Sequence, residues 1–116
     1  MRRGEIWVGN LNPNRGAEVG KIRPVLIIQA DFLVAQGEPT LVVLPLTTQV
    51  HQAKEPLHIT IQARDKLLQT SQVVTDQPRT LDRKRLVEGP LTILQPDEML
   101  AVERSLSAVL GLYVYP

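Results

Sequence analysis

The chain has 116 residues, 43% hydrophobic and 22% charged, with a formal net charge of +1. That length suits one domain of ordinary size, and the apolar share suffices for a packed core, which excludes a disordered chain. With no cysteine, two histidines and 3% aromatics, the composition excludes disulfide and thiol chemistry and argues against a zinc site or a binding surface of stacked aromatics.

The first residues, MRRGEIWVG, lack the apolar stretch of a signal peptide, and no run approaches the roughly 20 apolar residues of a membrane span, so a soluble cytoplasmic chain is expected. Residues 5–11 (EIWVGNL) read as a short strand closed by Asn12-Pro13-Asn14. Residues 16–28, GAEVGKIRPVLII, run from a glycine-bounded polar loop into a strand at 24–29, apolar on both faces and therefore central. Pro24 at its start occupies a position where the missing N–H is tolerated. Residues 31–36 fit one helical turn before Gly37. Residues 40–46 (TLVVLPL) form a second apolar strand, in which Pro45 predicts a sheet edge or a bulge. Residues 58–61 and 72–75 are further short strands in polar surroundings.

In the last quarter the period changes. Met99, Val102, Leu106, Val109, Leu110 and Tyr113 recur at three- and four-residue steps, which predicts an amphipathic helix. Pro96 suits its first position, Asp97 and Glu98 complement its dipole, and Gly111 is its stop. No repeat or linker interrupts the chain, so one domain over residues 1–116 is expected. The fold class is mainly β with a C-terminal helix: a strongly bent antiparallel sheet of five or more strands, partly covered by that helix.

Charge is spread unevenly, with twelve Lys and Arg against eight Asp and Glu in residues 1–85 and one against four in residues 86–116. A basic body suits an anionic ligand such as phosphate, although ordinary scatter gives the same totals. No GxSxG elbow, P-loop, HExxH or paired-cysteine motif occurs. What remains is polar residues at strand ends: Glu18, Lys21 and Arg23, then Thr47, Thr48 and Gln49, then Asp76, Gln77 and Arg79. Taken singly, Arg23 reads as a solvated charge, Thr47 and Thr48 as β-branched strand residues, and Asp76-Gln77-Pro78 as a turn. Arg79, Arg83, Lys84 and Arg85 read as a solvated basic face.

Four blocks in order change that reading. RGEIW at 3–7, NPNRGAEVGKIRPVLII at 12–28, PLTTQ at 45–49 and DQPRTLD at 76–82 together resemble the MazF/PemK family of toxin endoribonucleases over essentially the whole chain. The resemblance implies a small SH3-like, twisted antiparallel β-barrel (PemK/CcdB-like) with a terminal helix, a homodimer, and a cognate antitoxin as partner. It implies sequence-specific, ribosome-independent cleavage of single-stranded RNA without metal or other cofactor. It places the catalytic arginine at Arg23, the catalytic threonine at Thr47 and a loop acid at Glu18. Some plasmid-borne relatives pair the aspartate of DQPRT with an arginine two positions earlier; here these are Asp76 and Val74, so the chemistry falls to Arg23 and Thr47. With RNA as substrate, Lys21, Thr48, Gln49, Gln77, Arg79 and Arg85 become expected RNA contacts. The loops at 12–22 and 48–57 are expected to set which bases are read. Leu112 and Tyr113 are expected to be covered in a two-fold dimer.

RNA is cleavable without a metal because its 2′-hydroxyl attacks the adjacent phosphorus, leaving a 2′,3′-cyclic phosphate and a 5′-hydroxyl. The protein has to align that attack, stabilise charge on the phosphoryl oxygens and handle two protons. A guanidinium offers a planar fork and a permanent charge. A guanidinium gives up its proton only at very high pH, which makes Arg23 an electrostatic clamp rather than a proton donor. The base stays open between Glu18, Asp76 and His58. Two other functions remain in play: a CcdB-like toxin that binds DNA gyrase without catalysis, and an inactive SH3-like RNA- or protein-binding module. The first depends on a Trp-Gly-Ile ending, whereas this sequence ends Leu-Tyr-Val-Tyr-Pro with its single tryptophan at Trp7. The presence of both Arg23 and Thr47 counts against the second.

Overall fold

In a computed structural model of the chain, which describes residues 1–54 and 57–112, the two uninterrupted apolar runs become the innermost strands of one antiparallel sheet. The strands are β1 (Glu5–Asn10), β2 (Ile22–Ile27), β3 (Thr40–Thr47), β4 (Ile59–Ile61), β5 (Ser71–Val73), β6 (Arg79–Asp82) and β7 (Leu86–Ile93). They lie in the order β4-β5-β3-β2-β1-β7, with β6 added against β3. A short helix, α1 (Asp31–Ala35), follows β2, and α2 (Pro96–Val109) closes the described chain. The sheet curls into a half-barrel. The loop between β4 and β5 reaches back to β7, where Lys66 N donates to the Leu91 carbonyl and Arg64 Nη2 to that of Ile93, both at 3.0 Å.

Successive residues of a strand face opposite ways, so a strand buried on both sides loses its polar alternation. On β2, Leu26 joins Ile6, Leu44, Leu46 and Val102 in one core cluster, while Val25 and Ile27 join Leu41, Val43 and Leu81 in a second. This two-sided burial explains the continuous VLII run. The helix α2 covers the first cluster through Val102, with Met99 and Leu106 packed beside it. Its N-terminus carries a capping box between Gln95 and Glu98, with Pro96 at the start. Its C-terminus is a Schellman turn: Leu112 N donates to the Ser107 carbonyl (2.8 Å) and Gly111 N to that of Ala108 (3.1 Å). Gly111 takes a positive φ of 75°, which explains a glycine there. Leu112 is 79% exposed, and Tyr113 lies outside the described residues. No described helix is long and apolar enough to cross a membrane.

The strand expectations need three corrections. Pro45 lies neither at an edge nor in a bulge of the β2 ladder, where it pairs with Val25. It sits where β3 changes partner on its other side, from β6 (last pair Val43 with Arg79) to β5 (first pair Leu46 with Val73). A missing N–H is harmless at that changeover, and the Pro45 carbonyl still accepts from Val74 N at 2.8 Å. Strand β2 starts at Ile22, so Pro24 lies inside it, opposite Val8. Residues 79–93 hold two strands that the basic and Gly-Pro composition hides. β7 is an edge strand, where Pro90 is tolerated, and its pairing with β1 shifts register around Val8. Gly89 fits there because a Cβ would stand 2.5 Å from Cδ2 of the Trp7 indole.

Candidate active site

The pairing of β2 with β3 brings two of the expected site residues together. Val25 faces Pro45 and Leu26 faces Leu44. Carrying that register on two residues sets Pro24 opposite Leu46 and Arg23 opposite Thr47, the last residue of β3. In this ladder Leu26 points its N–H toward β3, and Pro24 would do so too had it one. The carbonyl of Leu46 therefore lacks its ladder donor, and Arg23 Nη1 donates to it at 3.4 Å. Arg23 Nε donates to the Gly20 carbonyl at 2.8 Å, so two main-chain oxygens hold the guanidinium. Among the described residues nothing bonds Nη2, and no carboxylate forms an ion pair with Arg23. Partial burial pushes this guanidinium below the ordinary arginine range. It nevertheless stays cationic at neutral pH.

Thr47 Oγ1 accepts from Gln49 N at 3.1 Å, a local turn that orients the hydroxyl and leaves its own proton free to donate. Both residues line one open groove of about 1230 Å³. One wall is the loop at 11–21, which is braced from within. Lys21 N donates to Asn12 Oδ1 (2.9 Å), Asn14 Nδ2 to the Glu18 carbonyl (3.2 Å), and Arg15 N to Glu18 Oε1 (2.6 Å). Lys21 has a positive φ of 71° at the re-entry into β2. The Asn14 side chain lies so close to Gly20 that an added Cβ would stand 2.1 Å from its Oδ1.

Glu18, Lys21, Thr48, Gln49 and Gln77 line the same groove as Arg23 and Thr47. Asp76, Arg79 and Arg85 do not. Asp76 Oδ1 is 2.8 Å from Nε2 of the buried His58, Arg79 Nη1 donates to the Leu11 carbonyl (2.6 Å), and Arg85 Nη1 to that of Asn12 (2.8 Å). Of the three groups considered as base, Glu18 is the carboxylate on the groove, while His58 is only 6% exposed. Gln77 borders the groove with both ends of its amide engaged: Oε1 accepts from Val19 N (2.7 Å) and Nε2 donates to the Ala17 carbonyl (3.3 Å). Sequence reasoning singled out none of Lys54, Lys66 and His51 as groove residues. Their side chains carry no local signal of a site; only the curl of the sheet brings 48–54 and 65–69 to the same cleft. A wholly buried Gln72 holds the main chain of His51, accepting from its N–H (3.3 Å) and donating to its carbonyl (3.1 Å). Among the described residues, no group of three or more His, Asp or Glu is placed to hold a metal ion.

The chain is similar to known proteins over nearly its whole length. A protein 40% identical over 113 residues, spanning 97% of this chain and 92% of its own, is Endoribonuclease MazF of Staphylococcus epidermidis. Solved structures share the fold. MazF of Deinococcus radiodurans superposes with a TM-score of 0.80 at 22% identity, covering 96% of both chains. An endoribonuclease from a mycobacterial species, solved in complex with its cognate antitoxin, does so with 0.77 at 23% identity, covering 100% of this chain and 99% of its own. The family described as PemK-like, MazF-like toxin of type II toxin-antitoxin system matches residues 2–110, and the chain belongs to it.

Proposed function

We propose that this chain is the toxin of a toxin–antitoxin pair, a single-domain, cytoplasmic endoribonuclease that cuts single-stranded RNA by attack of the 2′-hydroxyl. The activity named for the Staphylococcus epidermidis relative supports this reading. The observation that carries it is the Arg23 guanidinium, half-buried, unpaired with any described carboxylate, and opposite Thr47 in one groove. A cation that has lost part of its hydration gains more from an incoming anion than a solvated one does.

The scissile phosphate lies across Arg23 and Thr47. Nη2 and the Thr47 hydroxyl donate to its non-bridging oxygens, whose charge grows as the 2′-oxygen bonds to phosphorus. Glu18 takes the 2′-hydroxyl proton, the bond from phosphorus to the 5′-oxygen breaks, and that oxygen takes a proton from water in the open groove. Lys21, Thr48 and Gln49 meet the flanking phosphates and bases, together with Lys54 and Lys66. The functional unit is a homodimer, held inactive by a cognate antitoxin, the kind of complex solved for the mycobacterial relative.

Incubating the protein with a long single-stranded RNA in EDTA tests this. Discrete fragments with 5′-hydroxyl ends are expected, while DNA, and RNA methylated at the 2′-oxygen of the cut site, survive. Intact RNA after prolonged incubation would overturn the proposal, and mapping the fragment ends reads out the recognised sequence.

A further inference from the structure

Gln77 is held from below. The turn it belongs to is tied to residues 57 and 58, of which His58 lines the groove, through Thr75, wholly buried, whose hydroxyl donates to the Leu57 carbonyl at 2.7 Å, and through Asp76, paired with buried His58. From this base Gln77 reaches the loop that leads into β2. Its Oε1 takes the Val19 N–H at 2.7 Å and its Nε2 the Ala17 carbonyl at 3.3 Å. Arg79 takes the Val19 carbonyl at 3.4 Å, and the Val19 side chain packs on the second core cluster. Val19 is thus fixed at its donor, its acceptor and its side chain. The next residue is Gly20, whose carbonyl holds Arg23 Nε. A short relay runs from Gln77 through Val19 and Gly20 to the guanidinium.

We propose that Gln77 is a positioning residue that fixes the Val19–Gly20 backbone and, through it, the Arg23 guanidinium, rather than a residue that binds RNA. Resting on the ribonuclease reading for its catalytic part, this assigns a clasp between residues 57–58 and the loop at 11–21 to the turn at 75–79. An amide with one N–H and one lone pair already bonded to main chain gives up those bonds if it turns to face a base, and losing it frees the loop.

The test combines hydrogen exchange on the RNA-free protein with steady-state cleavage of a single-stranded RNA. In Gln77→Ala the Val19 amide is expected to exchange at least tenfold faster, with β2 and β3 core amides unchanged. kcat is expected to fall at least tenfold, with KM within twofold. Gln77→Glu keeps the acceptor for the Val19 N–H and is expected to return its protection to within threefold of wild type. If the alanine variant does not fold, Gln77→Asn, one methylene too short, gives the same readout. A wild-type Val19 exchange rate in the shortened variant, or a raised KM with kcat kept, overturns the proposal. The exchange arm needs no RNA: a protein that cuts nothing yet shows the exchange pattern supports the clasp and refutes only the nuclease reading.

Discussion

Arg23 Nη1 occupies the Leu46 carbonyl that Pro24, the residue next to it, is unable to serve. The Arg-Pro pair thus works as a unit: the imino acid leaves an acceptor open in the ladder, and the arginine closes it from the groove that Thr47 also lines. Restoring a donor should undo this. In Pro24→Ala the new N–H competes for Leu46, and cleavage is expected to drop by as much as about 100-fold through misplacement alone. Stability should change by no more than about 1 kcal/mol. Parallel measurements of kcat and of urea unfolding check both halves.

Thr47 separates shape from chemistry. Thr47→Val keeps the β-branch but loses the hydroxyl that accepts from Gln49 N and donates into the groove. It is expected to lower kcat by about 10²-fold, the usual cost of one donor to a developing oxyanion. Thr47→Ser retains the hydroxyl and should keep most of the rate. Equal losses in single-turnover assays of the two variants would show that packing, not the hydroxyl, matters.

Gly20 tests the loop. A Cβ there would stand 2.1 Å from Asn14 Oδ1, so Gly20→Ala forces the Asn14 brace apart beside the carbonyl that anchors Arg23. Cleavage should fall by at least about tenfold, in line with small displacements of a catalytic group. The melting temperature should move little, because Gly20 itself lies outside both core clusters, which the loop enters at Leu11 and Val19. Activity beside thermal unfolding of this variant decides it.

The central strands and the C-terminal helix were legible because burial and period leave strong marks: VLII has no polar face, and Met99, Val102 and Leu106 repeat at helical spacing. β7 was not legible. Glu88-Gly89-Pro90 spells a turn, and only an edge position beside a bulge in the β1 pairing lets it lie in a strand. Pro45 misled for a related reason, since the sequence does not reveal that β3 changes neighbours there. At the site, Arg23 and Thr47 became visible through the resemblance, and their register then set them face to face. Asp76, Arg79 and Arg85 share the polar look of groove residues, yet their side chains turn to His58 and to the carbonyls of Leu11 and Asn12. Which way a surface arginine points depends on which carbonyls the fold leaves open, and local sequence does not carry that.

The pairing of Arg64 with Glu98 predicts a pH dependence. Arg64 Nη1 and Nη2 meet both carboxylate oxygens at 2.6 and 2.7 Å. That bonding holds Glu98 below the usual glutamate range, against the opposing effect of burial, and the Gln95 N–H adds to it. A depressed folded value means that the stabilisation is complete above the unfolded pKa of about 4.3 and is lost as pH falls through the folded one. Glu98→Gln is expected to cost about 1.5–3 kcal/mol at pH 7. The gap to wild type should close progressively in urea titrations below pH about 4. Arg64, shifted upward, stays charged throughout that window.

Single-turnover cleavage of a defined single-stranded RNA by wild type and by Arg23→Ala tests the central assignment most directly. Removing the guanidinium from the groove it shares with Thr47 should slow the step by about 10²–10³-fold, or roughly 3–4 kcal/mol of barrier, with the fold intact by circular dichroism. A folded Arg23→Ala protein that cuts at the wild-type rate would contradict it.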